Sequence, residues 1–303
     1  MESLINQLDD SGIPYLENEL LSGHTSFKIG GPARLMVLPR TVEEIRRVVQ
    51  LSKTYGWPFF ILGNGSNILF ADQGYDGLVI KIGKNFSEYN INGTKVTAQS
   101  GALLSSICKK AARQGLAGAE FGTGIPGTVG GGVVMNAGAY DGELKDVISS
   151  VTVMDKEGTI YRYSNQEMQF GYRTSRVYQE GLIVLEMTME LQPGDMTAIW
   201  EKIDDFTTRR WRKQPIDLPS GGSTFKRPPG YYAGKLIEDS GCKGLRFRDA
   251  QVSPKHSGFV VNLGSATSKD VRTLIRLVQR RVKEAYGVVL ETEVKLIGNL
   301  NED

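Results

Sequence analysis

The sequence predicts an α+β protein of two or three domains, and three observations carry that prediction. Strand-like and helix-like patterns are mixed along the chain and joined by short turns, the pattern of layered α+β packing. The 303 residues with 40% hydrophobic content can bury a substantial core and exceed what one domain usually holds. Glycine is the outlier: 36 of 303 residues is roughly 12% against a usual ~7%, and the excess lies in particular loops. Such loops favour close backbone approach to a ligand.

Taken in order, residues up to about Asn18 read as an amphipathic helix and connector, followed by a strand, Arg34–Leu38. Thr41-Val-Glu-Glu44 is a capping box, and Val42, Ile45, Val48 and Val49 keep a helical apolar face as far as Gly56. A strand over Trp57–Leu62 ends in Gly63-Asn-Gly-Ser-Asn67 and resumes at Ile68–Phe70. Asn-Gly between apolar runs is the ordinary hairpin signal; the alternative is that Gly65, Ser66 and Asn67 offer amides and a hydroxyl to a pyrophosphate. Strands are predicted at Gly77–Ile82 and Lys95–Gln99, and a helix from about Ala102 to Gln114. Val151–Asp155 and Thr159–Tyr163 pair as a hairpin across Lys156-Glu-Gly158. A long apolar strand, Leu182–Leu191, runs to Pro193-Gly194, where a domain break is placed. The last third reads as a helix over about Thr197–Arg212, a loop over Gly221–Pro229, and a helix through Ala233–Glu238. Strands follow near Ala250–Val252 and Gly258–Asn262, then a helix over about Ser268–Tyr286 capped by Gly287 and a final strand, Val288–Ile297. The domains expected are 1–56, 57–194 and 195–303.

Between the helix at 102–114 and the hairpin lies the densest glycine run, Gly122-Thr-Gly-Ile-Pro-Gly-Thr-Val-Gly-Gly-Gly-Val-Val-Met-Asn-Ala-Gly-Ala-Tyr140. Gly122 to Gly127 spell G-x-G-x-x-G, the dinucleotide fingerprint when a strand precedes and a helix follows. The preceding Gly115–Phe121 has no β-branched run, and Gly130, Gly131 and Gly132 would each weaken a helix interior by roughly 1 kcal/mol. A phosphate cradle of another kind is preferred to a Rossmann unit or a merely structural loop.

Composition excludes several classes. Net charge is +2 from 36 basic and 34 acidic residues, which gives no global field for nucleic acid or a membrane surface. Arg209-Arg-Trp-Arg-Lys213 closes a predicted helix, where basic residues ordinarily complement the dipole. Two cysteines and two histidines provide neither a disulfide framework nor a zinc cluster. No stretch approaches the roughly 20 apolar residues of a membrane span, and no targeting segment is recognised. A cytoplasmic protein without a tightly bound metal is expected.

Four stretches then occur in a specific order: Thr25-Ser-Phe-Lys-Ile-Gly-Gly-Pro-Ala33, Gly63-Asn-Gly-Ser-Asn67, the 122–140 run, and Gly221-Gly-Ser-Thr-Phe225. Gly171-Tyr-Arg173 lies between them and Leu290-Glu-Thr-Glu-Val294 near the end. Together they resemble the UDP-N-acetylenolpyruvoylglucosamine reductase family over nearly the whole chain. The resemblance implies a vanillyl-alcohol-oxidase-type (PCMH-type) FAD-binding fold in two subdomains plus a C-terminal α+β substrate-binding domain. It implies non-covalent FAD, NADPH as reductant and a nucleotide-sugar substrate whose enolpyruvyl group is reduced to a lactyl ether for peptidoglycan synthesis. Hydride would reach C3, and the charge left at C2 would spread into the carboxylate. Arg173 and Glu293 would meet that charge, Glu293 as a protonated donor whose pKa burial must raise, and Ser223 would deliver the proton to C2. The cofactor-binding set implied is Gly63, Asn64, Gly65, Ser66, Asn67, Gly122, Thr123, Gly127, Gly130, Gly131, Asn136, Ala137, Gly138 and Arg210. Tyr172, Lys213, Arg227 and Lys235 would meet the substrate.

The short segment between Arg227 and Phe259 lacks the tyrosine-bearing insertion of type I members, so the chain reads as type II. Taken singly, each proposed catalytic residue has a plain structural alternative: a turn serine, a surface-paired arginine and an outward strand carboxylate. A sugar or lactone oxidase would share the fold, but many attach FAD through a histidine, and neither His24 nor His256 falls in a glycine cradle. A flavin-binding sensor without chemistry would not need Arg173, Ser223 and Glu293.

Overall fold

The computed structural model describes residues 2–140 and 142–299. The chain divides into two compact units: Met1–Glu17, Leu35–Asn64 and Gly77–Thr208 form the first, and Asn18–Arg34, Gly65–Asp76 and Arg209–Asp303 the second. Neither is one consecutive segment, and Pro193-Gly194 lies inside the first.

Among the described residues, the first unit holds a small cluster of Ala112, Ile199 and Ile203 and two large cores. One is built on strands ordered Tyr15–Leu20, Pro32–Val37, Tyr75–Lys81 and Phe59–Leu62, the last two parallel with Phe59 opposite Leu78. Helices Glu2–Asp10 and Val42–Tyr55 contribute Leu4, Leu8, Ile45, Val48 and Val49 to this core. Thr41 caps the second helix by accepting from Glu44 N, and Gly56 ends it in the left-handed region. The reciprocal half of the expected capping box is shifted by one residue, because the Glu44 carboxylate accepts from Arg40 N and the Arg40 side chain.

The other core lies on a five-stranded antiparallel sheet ordered Ile160–Ser164, Ile148–Met154, Ile183–Glu190, Lys95–Gln99 and Tyr89–Asn92. The hairpin across 156–158 forms as expected, with Met154 opposite Ile160. Helix Leu104–Arg113 buries Leu104, Ile107, Cys108 and Ala111 in this core.

In the second unit, an antiparallel sheet runs Ser220–Ser223, Phe259–Asn262, Ala250–Val252 and Arg246–Phe247. Helix Ser268–Tyr286 buries Val271, Leu274, Ile275, Val278 and Val282 at helical spacing, each worth about 1.5–3 kcal/mol of burial. Its ends follow the sequence signals: Thr267 and Asp270 form a capping box and Gly287 adopts φ 70°.

Four local expectations are corrected. Residues 15–20 form a strand rather than a connector. Strands Phe59–Leu62 and Ile68–Phe70 are not a hairpin: the first pairs with Tyr75–Lys81 and the second with Lys295–Ile297, both parallel. The Gly221–Pro229 loop begins as strand Ser220–Ser223. The final strand covers only Lys295–Ile297, because Leu290–Val294 meets the chain at 224–226 through an isolated bridge and single hydrogen bonds. No helix among the described residues is long and apolar enough to cross a membrane.

Candidate active site

In the first unit, Gly63 and Asn64 lie against the 122–140 run. A Cβ at Gly63 would sit 2.4 Å from Thr128 Oγ1, so backbone approaches there with no room for a side chain. Asn64 Nδ2 donates to Pro126 O at 2.6 Å, and Gly127 O accepts from Leu104 N at 3.0 Å. Gly122 and Thr123 belong to a buried 3₁₀ turn, Glu120–Gly124. Against expectation, a short helix, Val129–Val134, follows the G-x-G-x-x-G run, with Thr128 as its cap through Gly131 N. Packing overrides glycine's poor propensity: a Cβ at Gly130 would lie 2.9 Å from Ser100 Cβ. The other Rossmann requirement, a strand directly before the run, is not met.

Three lysines missed from sequence, Lys81, Lys84 and Lys110, line a cleft of about 510 Å³ together with Gly63, Asn64 and Thr128. Lys81 Nζ donates to Gly63 O at 2.6 Å, and burial lowers its pKa to about 8. Lys110 Nζ sits 3.6 Å from the Tyr89 ring centroid. Alternation along the strand could have flagged Lys81, but nothing local brings residues 81, 84 and 110 together.

Arg173 occupies a tight turn. Gly171 and Thr174 exchange backbone hydrogen bonds at 3.1 and 3.3 Å, and Arg173 between them has φ 56°. Its guanidinium lies 5.1 Å from the ring centroid of the exposed Tyr172. Asn136 is fully buried: Nδ2 donates to Glu143 Oε2 at 2.8 Å and to Gly171 O at 3.1 Å, and Oδ1 accepts from Lys145 N at 2.9 Å. Its carboxamide donors are therefore committed within the protein. Ala137 N donates to Gly132 O, and Gly138 pairs with Glu143 in a short ladder.

The second unit gathers the other motifs. Gly65 has φ 62°, and a Cβ on it would lie 2.2 Å from His24 O. Ser26 N donates to Gly65 O, while Ser26 Oγ donates to Ser220 O at 2.6 Å. The Thr25–Ala33 motif thereby ties the Gly65-Ser66-Asn67 turn to the strand ending in Ser223. Ser223 is half-buried and opposite Phe259, and the next residue, Thr224, accepts from Glu293 N at 2.8 Å. Asn67 Nδ2 donates to Glu293 O at 3.2 Å, and Asn67 O accepts from Lys295 N at 3.0 Å. Ser66, Asn67, Ser223 and Glu293 are thus brought into one neighbourhood, with the Glu293 side chain half-buried.

The remaining basic candidates are more open. Arg210 is half-buried and Lys213 exposed near the end of helix Met196–Lys213. Arg227 is exposed, its guanidinium 4.0 Å from the Tyr232 ring centroid, and Lys235 is exposed and ion-paired with Asp239. The His24 backbone does border the Gly65 turn, while its ring meets Glu19 at 2.8 Å; His256 packs edge-on to Phe259. No group of three or more His, Cys, Asp or Glu among the described residues could hold a metal ion.

These features fit a dinucleotide. The backbone carries no side chain at Gly63 and Gly130, where a Cβ would clash with Thr128 and Ser100, cationic side chains flank Gly63 and Asn64, and the buried Ser100 Oγ beside Gly130 has no hydrogen-bond partner. Residues 33–164 match the FAD binding domain model, and residues 214–297 match the UDP-N-acetylenolpyruvoylglucosamine reductase, C-terminal domain. UDP-N-acetylenolpyruvoylglucosamine reductase from Clostridioides difficile (strain 630) is 50% identical over 296 residues, 98% of this chain and 97% of its own. The Clostridium tetani (strain Massachusetts / E88) enzyme of that name is 47% identical over 98% of this chain and 96% of its own. The crystal structure of UDP-N-acetylenolpyruvylglucosamine reductase from Thermus caldophilus superposes with TM-score 0.80 at 37% identity, covering 94% of this chain and 98% of that one. Glucooligosaccharide oxidase from Acremonium strictum, at TM-score 0.50 and 16% identity over 96% of this chain and 60% of its own, shares the fold alone. The oxidase alternative is accordingly not favoured, and the chain belongs to the UDP-N-acetylenolpyruvoylglucosamine reductase family of FAD-binding oxidoreductases.

Proposed function

We propose that this protein uses NADPH to reduce the enolpyruvyl group of UDP-N-acetylglucosamine enolpyruvate, giving UDP-N-acetylmuramate. The observation that carries the reading is the main-chain pairing that sets Ser223-Thr224 beside Glu293 and Asn67. The groups that would hold FAD are residues 63–67 and, from the glycine run, Gly122, Thr123, Gly127, Gly130 and Gly131, whereas the Asn136 carboxamide is taken up by Glu143, Lys145 and Gly171. FAD, reduced by NADPH, supplies the hydride that the enolpyruvyl double bond takes up.

The protein's own task is to handle the charge and the proton. Hydride addition at the methylene carbon leaves negative charge at C2, delocalised into the adjacent carboxylate. Arg173 offers paired donors in a fixed fork, which suits a carboxylate better than a point charge does. Its left-handed backbone and two-residue turn give the fork a defined starting direction. Glu293 in its protonated form donates a hydrogen bond as charge builds on the carboxylate oxygens. Ser223 donates its hydroxyl proton to C2; a serine is a weak acid, but a carbanionic carbon is basic enough when the distance is fixed. Tyr172, Lys213, Arg227 and Lys235 are assigned to the nucleotide-sugar, where cationic groups meet the diphosphate without a type I tyrosine insertion.

The test is spectroscopic. Purified protein should be yellow, bleach with NADPH, and regain colour when the enolpyruvyl nucleotide-sugar is added without oxygen. A protein that bleaches but recolours only with oxygen would overturn the assignment.

A further inference from the structure

We infer that Asn136 is a positioning residue for Arg173, tying the end of the glycine cradle to the base of the turn that aims the arginine. The inference rests on the role proposed above for Arg173. Asn136 is 0% exposed and has φ 42°, a conformation Asn tolerates better than most residues. It follows directly on the cradle helix, where Asn136 N donates to Val133 O and Ala137 N to Gly132 O. From there its carboxamide reaches three other segments: the side chain of Glu143, the backbone of Lys145, and Gly171 O.

Gly171 O is the significant acceptor. Gly171 and Thr174 close the turn that carries Arg173, so a donor on Gly171 O fixes one leg of that turn. The other leg is fixed from the same cradle: Ser175 Oγ donates to Val134 O at 2.9 Å. Two side-chain bonds therefore run between residues 134–136 and the two sides of the Arg173 turn. Both start from fully buried side chains, Asn136 and Ser175, where losing a partner leaves a buried polar group unsatisfied. The glycines proposed to hold the cofactor and the arginine proposed to hold the carboxylate thus share one bracket, and a displacement of about 1 Å between such groups costs on the order of 10²-fold in rate.

Asn136→Asp tests this with the shape retained. The carboxylate has no N–H, so it cannot serve Gly171 O, and it faces the Glu143 carboxylate, which Lys145 pairs and whose own backbone N–H donates to Asp146. In the purified holoprotein, the expected result is a wild-type visible spectrum and NADPH-driven bleaching within about twofold of wild type. Reoxidation by the enolpyruvyl nucleotide-sugar should fall about 10- to 100-fold. In an Arg173→Ala background the same change should add no more than about twofold, since the two act through one group.

Loss of both half-reactions together, or full additivity with Arg173→Ala, would make Asn136 a general structural residue and overturn the inference. If Asn136→Asp yields no folded protein, Asn136→Gly, which also accepts φ 42°, takes the same two measurements. Arg173→Ala that reoxidises like wild type would refute the role of Arg173. A slow Arg173→Ala beside a normal Asn136→Asp would refute the bracket alone.

Discussion

The two units hold their candidate chemical groups by different means. In the first, the decisive bonds come from side chains: Asn136 to Gly171 O, Ser175 to Val134 O, Asn64 to Pro126 O, and Lys81 to Gly63 O. In the second, they are mostly main chain to main chain: Glu293 N to Thr224 O, Lys295 N to Asn67 O, Ser26 N to Gly65 O, and Ser220 N to Ser26 O. A site bracketed by side chains fails when one side chain is shortened. A site held by backbone survives side-chain changes and fails when the backbone itself is forced elsewhere. The two units should therefore be vulnerable to different kinds of substitution.

The largest expected effect comes from striking the backbone-held region through its backbone. Gly65→Ala places a methyl group 2.2 Å from His24 O at φ 62°. A left-handed alanine is unfavourable by roughly 1–2 kcal/mol and overpacking by about 1–3 more. A combined loss near 4 kcal/mol is about a thousandfold in affinity, so the variant should lose FAD during gel filtration. An equilibrium titration of the flavin-stripped variant that returned wild-type affinity would show the turn to be a bystander.

Next in size is a side-chain change at the same backbone-held site. Ser223→Ala leaves the Thr224 to Glu293 pairing untouched, so the protein should fold, keep its flavin and bleach with NADPH at the wild-type rate. Only reoxidation by the enolpyruvyl substrate should slow, by on the order of 10²-fold, if the hydroxyl supplies the proton. Stopped-flow traces of the two half-reactions make the separation. Equal slowing of both would mean that the hydroxyl supports the scaffold, and the contrast between units would lose its clearest case.

That contrast also explains what could be read from the sequence. The helix Ser268–Tyr286 was legible to the residue because its cap, apolar spacing and terminal glycine are all local signals. The order of the glycine motifs was legible for a similar reason, since each is a contiguous string. The bracket at Asn136 was not: its partners at 143, 145 and 171 are set by tertiary folding. The strand expected over Val288–Ile297 failed because alternation describes side chains and says nothing of partners. The main chain of Leu290–Val294 pairs through a bridge at Thr292 and scattered hydrogen bonds at 224–226, so ladder pairing begins at Lys295. Among the described residues, Glu291 is exposed, Thr292 and Glu293 half-buried and Val294 buried, a graded burial with no two-residue period.

The smallest effect should appear at Lys81, in the side-chain-held unit, and it can be isolated by pH. Lys81 is half-buried, donates to Gly63 O, shares its cleft with Lys84 and Lys110, and burial lowers its pKa to about 8 from its ordinary 10.5. Burial disfavours the charged form in the folded state, so between about pH 8 and 10.5 the unfolded chain binds more protons than the folded one. Stability from this group therefore rises with pH across that window, and below pH 8 the folded protein carries the full penalty of a buried ammonium. Taken whole, the shift corresponds to roughly 3 kcal/mol, of which about 1 kcal/mol should survive partial exposure and relaxation. Lys81→Met removes both the proton and the donor to Gly63 O. Other lysines and tyrosines titrate in the same range, so the informative quantity is the difference between wild-type and variant holoprotein in urea unfolding with excess FAD. That difference should shift in favour of wild type by about 1 kcal/mol as pH is raised from 8 to 10.5. Parallel stability curves would mean that burial does not penalise the Lys81 ammonium in the folded protein.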